Sequence, residues 1–178
     1  MLKEKHVSAA RWAVCVALLS SLFAISPAAA SDEVDDSLVG RVRDVNDRFR
    51  DVSVSVAEGY TAMPCVSGGD GGAMGVHYVN AKLLAGDTID IRRPQAVMYE
   101  PKANGRMALV AVEYITQKGP ASLEGQLFNF TGAPNRYGLP AFYALHVWAW
   151  EPNPKGAFAN MNPDVTCEHA TGMEMDRN

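Results

Sequence analysis

The chain has 178 residues, with 16 Lys and Arg against 20 Asp and Glu and a net charge of −4. That length suits one domain with a sizeable core. The acidic balance leaves no basic patch, which argues against nucleic acid and anionic membrane surfaces as partners.

The first thirty residues read as a secretory signal peptide. "MLKEKHVSAAR" is a basic leader with Lys3, Lys5 and Arg11, "WAVCVALLSSLFAIS" is an apolar run, and "PAAA" places small residues before Ser31. The apolar run falls short of the about 20 residues that span a bilayer. Cys15 lies inside it and not at its end, which argues against a lipoprotein anchor. Cleavage is expected after Ala30, giving a periplasmic or secreted bacterial protein with no membrane segment left. The remaining 31–178 would be a single globular domain with an ordered core over about 36–168. It carries 13 basic and 19 acidic residues.

Residues 35–58 predict one amphipathic helix. Leu38, Val42, Val45, Phe49, Val52 and Val56 recur at spacings of four and three, the period of a single helical stripe. Asp35 and Asp36 suit the N-terminus and Gly59 the stop. Within this segment "VSVSV" alternates as a strand would. Residues 60–72, "YTAMPCVSGGDGG", read as a loop, and their glycines fit neither G-x-x-x-x-G-K-[ST] nor G-x-G-x-x-G. Ser67 has no nucleophile-elbow context.

Four strand-like runs follow: "MGVHYV" (74–79), "AVMYE" (96–100), "MALVAVEYI" (107–115) and "AFYALHVWAW" (141–150). Asn104-Gly105 signals a hairpin between the second and third. This pattern implies an antiparallel sheet or small partial barrel rather than alternating βαβ units. Between the third and fourth runs lies a long connection, 116–140, with a short helix expected at "SLEGQLF". Connections of this length are uncommon in compact domains and often functional, so this one could form a lid. The tail holds Asn-Pro at 153–154 and 162–163, each favouring a turn, and reads as a wrapping segment.

After cleavage two cysteines remain, Cys65 and Cys167. An even pair in an exported chain argues for a disulfide. Chain entropy assigns a loop of that length on the order of 4–5 kcal/mol. No C-x-x-C supports the alternative, a pair of soft metal ligands.

Three strands carry one ionisable residue each among apolar neighbours: His77, Glu113 and His146. Side chains alternate along a strand, so His77 shares a face with Gly75 and Val79. Glu113 likewise shares one with Ala111 and Ile115, and His146 with Ala144 and Trp148. Burying any of the three alone costs several kcal/mol, so the economical arrangement brings them together. Two imidazoles and a carboxylate can hold a divalent metal with positions left for water or substrate. They can equally form an acid–base pair or a purely structural polar cluster. Neither H-x-H nor H-E-x-x-H occurs. Glu100, at a strand end, is a further candidate ligand, set against a solvated acid. Tyr78, Tyr114, Tyr143 and Trp148 could line an apolar ligand pocket or simply pack the core.

"GAMGVHYVN", "PQAVMYEP", "LVAVEYI" and "HVWAWEPNPKGAFANMNPDVTC" together resemble a family of exported bacterial proteins of unknown function. The resemblance rests on Gly59-Tyr60, Cys65, Met74 to Tyr78, Tyr99 to Pro101 and Val112 to Tyr114. It continues through His146 to Trp148, Asn153 to Phe158 and Cys167, and covers roughly 45–167. It implies one compact exported domain and carries no assigned activity.

The expectation is therefore an α+β fold: an N-terminal amphipathic helix on an antiparallel sheet or small partial barrel, closed by Cys65–Cys167. Its leading function is an exported domain with a His77/Glu113/His146 site for a divalent metal or small ligand. The alternative is a non-catalytic structural or oligomeric envelope protein whose cluster organises the core. A third is a binding module that uses the aromatic faces. The sequence leaves open whether the protein is an enzyme, which metal it takes, and whether it forms a homo-oligomer.

Overall fold

The computed structural model describes residues 37–68, 71–170 and the backbone of 176–177. The expected signal peptide, with Asp35 and Asp36, lies outside the described residues. Among the described residues no helix is long and apolar enough to cross a membrane.

The expected single helix is three pieces: α1 (Leu38–Asn46), a 3-10 turn (Asp47–Arg50) and α2 (Val52–Ala57). Side-chain chemistry makes the breaks. The Ser37 hydroxyl caps α1 by accepting from Gly40 N. Asn46 is buried and its amide donates to the carbonyls of Val42 and Ile91, which ties the end of α1 to a distant loop. Asp51 leaves helical geometry at φ −91° and ψ 107°, and its carboxylate accepts from Ser53 N to start α2. The restart rotates the stripe. Val42 and Phe49 point into the core, but Val56 is 58 % exposed and Ser55 is buried instead. Gly59 ends the segment at φ +89°, where a side chain would be strained.

The strands are β1 (Thr61–Ser67), β2 (Ala73–Val79), β3 (Ala96–Pro101), β4 (Met107–Thr116), β5 (Ser122–Leu123), β6 (Gln126–Leu127), β7 (Asn129–Thr131), β8 (Phe142–Val147) and β9 (Asp176–Arg177). The short helix α3 (Ala81–Gly86), capped by Asn80, follows β2. One sheet runs β7-β8-β4-β3-β2-β1, with β9 parallel beside β1. Its six main strands are antiparallel and curl into a half-barrel. The β3–β4 hairpin turns through Asn104-Gly105, with Gly105 at φ +78°.

Two further sequence expectations are corrected. Residues 61–67 are a strand, not a loop. Pro64 hides it: β1 carries a register shift between Ala62 and Cys65, and a bulge accepts a residue that cannot donate to the ladder. "SLEGQLF" is a tiny β5–β6 hairpin, not a helix. Glu124 (φ +50°) and Gly125 (φ +89°) take the left-handed turn that such a two-residue connection needs.

Alternation divides the sheet into two faces. Val97, Tyr99, Val112, Tyr114, Leu145 and Val147 form one core with Val42, Phe49 and Tyr60 of the helical segment. On the other face Met98, Ala111 and Trp148 cluster with Cys65 and Cys167, and Ile115, Phe142 and Ala144 form a smaller group. Cys65 and Cys167 are disulfide-bonded across 102 positions. Both Asn-Pro expectations in the tail meet real turns: Asn153 accepts from Lys155 N, and Asn162 from Asp164 N. The tail covers Trp148, whose indole N–H donates to Ala159 O.

Candidate metal centre

Between the two smaller clusters sit His77, Glu113 and His146, exposed by 0, 3 and 4 %. Glu113 and His146 are directly opposite each other on β4 and β8. His77 lies two strands away. It pairs with Met98 of β3, which pairs with Ala111, two residues before Glu113. Its ring therefore reaches diagonally across β3. The β3 residue facing Glu113 is Ala96, whose small side chain leaves that path free.

One ligand atom of each residue lies within 4.8 Å of the others, a spacing that could hold a metal ion. Both imidazoles present Nε2 to the carboxylate: His77 at 3.6 Å from Oε2 and His146 at 3.6 Å from Oε1. Those distances are too long for hydrogen bonds. They are close to the roughly 3.3 Å that separates two ligands around a tetrahedral ion at 2.0–2.1 Å. Neither Nε2 has a hydrogen-bond partner among the described residues. A hydrogen bond with the Gly75 backbone favours charge on the His77 ring. Metal binding through Nε2 would require the Nδ1–H tautomer, whose Nε2 lone pair faces Glu113.

Electrostatics keep both rings neutral. Burial lowers the His77 pKa well below 6.5, and Arg136 and His146 lower it further. Burial also lowers His146; Glu113 opposes the shift and Arg136 adds to it. The Asn160 side chain favours the charged His146, yet His146 Nδ1 makes no hydrogen bond of good geometry. Both approaches lie within ion-pair distance, and each would be an ion pair only with its ring protonated, which burial disfavours. Neutral imidazole is the form that binds metals.

Two residues of the 116–140 connection complete the site, and sequence reading had singled out neither. The Tyr137 hydroxyl donates to Glu113 Oε2 at 2.5 Å. Burial, then the Glu113 charge, holds the Tyr137 pKa well above 10, so it stays a donor. Arg136 lies beside His77, with Nη1 3.4 Å from Nδ1, and Nη2 donates to Pro64 O in the β1 bulge. The signal for both was the length of the connection, which identified a region but no residue.

A cavity of about 510 Å³ lies beside the trio. Glu113, His146, Arg136 and Tyr137 line it, with Asn129 and Asn160 among its polar groups and Phe142 among its apolar ones. His77 sits behind that wall. Of the small residues that share a face with the trio, Ala144 lines the cavity, whereas Ala111 packs with Met98. Gly75 has a different role: at φ +86° it passes so close to Tyr99 O that an added Cβ would sit 2.5 Å away.

The four aromatics considered as a ligand pocket do not gather here, and none lines this cavity. Tyr114 is fully buried in the helix-side core and donates to Ile91 O. Tyr78 stacks edge-on against Tyr99, Tyr143 against Phe130, and Trp148 packs beside the disulfide. Glu100 is not a fourth ligand among these groups. It is buried at the far end of β3, pairs with Lys102 and accepts from Thr166 N.

Comparison with protein-family models, curated proteins and solved structures returns no match.

Proposed function

We propose that His77, Glu113 and His146 bind one divalent metal ion, whose remaining coordination positions open to the adjacent cavity and take a small ligand. One observation carries the reading: two buried, neutral imidazoles turn unpartnered Nε2 atoms toward the same buried carboxylate. An unsatisfied buried polar atom costs about 1–3 kcal/mol, and two converging on one point call for a shared partner. Two nitrogens and one oxygen suit Zn(II), Fe(II), Mn(II) and related ions. Tyr137 supports the site from outside by fixing the Glu113 oxygen that faces His77. The signal-like leader and the disulfide support an exported setting for it.

The test is elemental mass spectrometry on the purified protein, before and after incubation with zinc, manganese and iron(II) salts and exhaustive dialysis. One equivalent of metal is expected, lost in Glu113→Gln and His146→Ala variants whose circular dichroism is unchanged. A wild-type protein that retains no metal under any of these conditions overturns the proposal. The second reading, a structural polar cluster, is favoured by the Tyr137–Glu113 hydrogen bond. It predicts no metal and a lower Tm for Glu113→Gln.

A further inference from the structure

We infer that the ligand taken up beside the metal is a small organic carboxylate, and that Arg136 holds its carboxylate group. The inference deepens the metal reading and takes part of its charge argument from it. Among the described residues that line the cavity, Arg136 is the sole cation and Glu113 the sole acid. Glu113 is directed elsewhere: its oxygens face His77, His146 and Tyr137. Arg136 has no carboxylate partner among the described residues. Its contacts are one donation to Pro64 O, a long approach to His77 Nδ1 and a position 5.5 Å over the Tyr137 ring. Its Nε is buried and has no hydrogen-bond partner among the described residues.

A guanidinium presents a planar fork of N–H donors, which matches a carboxylate bidentately. A half-buried guanidinium with no carboxylate partner is a poorly paired charge, which an anion in the cavity it lines would pair. Charge balance points the same way. Metal-bound imidazoles are neutral, and Glu113 and Arg136 offset each other, so a divalent ion leaves the pocket with two unbalanced positive charges. An anion between ion and guanidinium neutralises that excess. A single fork suits a carboxylate better than a phosphate dianion, which recruits several cations or backbone N–H groups. The rest of the wall suits an organic acid: Asn129 and Asn160 offer amides, and Val66, Met74 and Phe142 offer apolar surface.

The experiment is isothermal titration calorimetry of the zinc-loaded full chain with benzoate, succinate and inorganic phosphate. Wild type, Arg136→Gln and Arg136→Lys are compared, with metal content measured on each. The expected result is saturable binding of at least one carboxylate. Its Kd, referred to the metal-loaded fraction of each protein, should rise by about tenfold or more in Arg136→Gln, as loss of a charge-assisted pair implies. Arg136→Lys should fall between, keeping the charge and losing the fork. No binding of either carboxylate, an unchanged Kd in Arg136→Gln, or binding of phosphate alone overturns the inference. If Arg136→Gln does not fold, the lysine variant decides, and an unchanged Kd there overturns it. The two proposals fail separately. Metal retained without carboxylate binding removes this one. Arg136-dependent carboxylate binding by a protein that retains no metal removes the other.

Discussion

The two faces of the sheet are built from alternate residues of the same strands, yet they treat their buried polar rings in opposite ways. On the helix-covered face three tyrosines are buried, and every hydroxyl finds a backbone carbonyl: Tyr60 donates to Pro94 O, Tyr99 to Phe49 O and Tyr114 to Ile91 O. On the other face His77 and His146, one residue removed from that core, leave both Nε2 atoms unpartnered next to a cavity. The apolar payload that stabilises the fold is concentrated on the first face. The second gives up packing and hydrogen bonds to hold three ionisable groups in one place. Fully satisfied buried polar groups serve structure. Convergent unsatisfied ones at a cavity are the mark of a binding site.

The comparison breaks most sharply in the helix-side core. Phe49→Ala deletes a fully buried ring that packs edge-on against Tyr60. It should cost about 3–5 kcal/mol in urea unfolding while leaving metal content per folded molecule unchanged. A metal stoichiometry that falls with Phe49→Ala would show that the two faces are not independent.

Metal removal should act on the other face alone. With free metal at 100 times its Kd, binding adds about 2.7 kcal/mol. A chelator should therefore lower the Tm of the wild type and of Tyr114→Phe, and leave Glu113→Gln where it is. Equal shifts in all three proteins would place the metal elsewhere.

Acid should also select the second face. Both histidine pKa values lie below 6.5 in the folded protein, chiefly through burial. The unfolded chain then takes up protons at a higher pH than the folded one. Stability of the metal-free protein is full above about pH 6.5 and falls as pH drops below that, until the folded-state values are passed. The slope approaches about 1.4 kcal/mol per pH unit for each histidine. Urea midpoints between about pH 7 and 5 measure it, and His77→Gln should flatten the curve.

The smallest contrast compares hydroxyls. Tyr137→Phe removes a hydrogen bond to a buried carboxylate and should cost about 1.5–3 kcal/mol, against about 0.5–1.5 for Tyr99→Phe, whose partner is a neutral carbonyl. Matched chemical denaturation of the two variants decides it. Equal costs would mean that the Tyr137 hydrogen bond is no stronger than one to a neutral carbonyl.

Much of this was legible in the chain and some was not. The period-two alternation in "GVHYV", "LVAVEYI" and "ALHVWAW" put one ionisable residue on one side of each strand, because strand geometry is local. The cysteine pair followed from assigning Cys15 to the expected leader, and the Asn104-Gly105 turn from its backbone preference. Local pattern could not show that Pro64 sits in a bulge of a real strand. Nor could it show that Asp51 restarts a helix and turns Val56 outward. Both depend on partners elsewhere in the chain: β2 for the bulge, and the sheet that Phe49 must face.

The sequence by itself determined which side chains alternate, which cysteines were available to pair, and that three buried-looking strands each carried one ionisable group. Only the tertiary structure decided that these groups meet. Convergence depends on register, on the curl of the sheet and on the small Ala96 beneath the path of His77. It also decided that Arg136 and Tyr137, some sixty residues beyond His77 in a connection without periodicity, close the site. A loop carries no repeating pattern that announces where its side chains will point. Its residues acquire a role only when the chain ends on either side of it, at β7 and β8, are brought against the rest of the sheet.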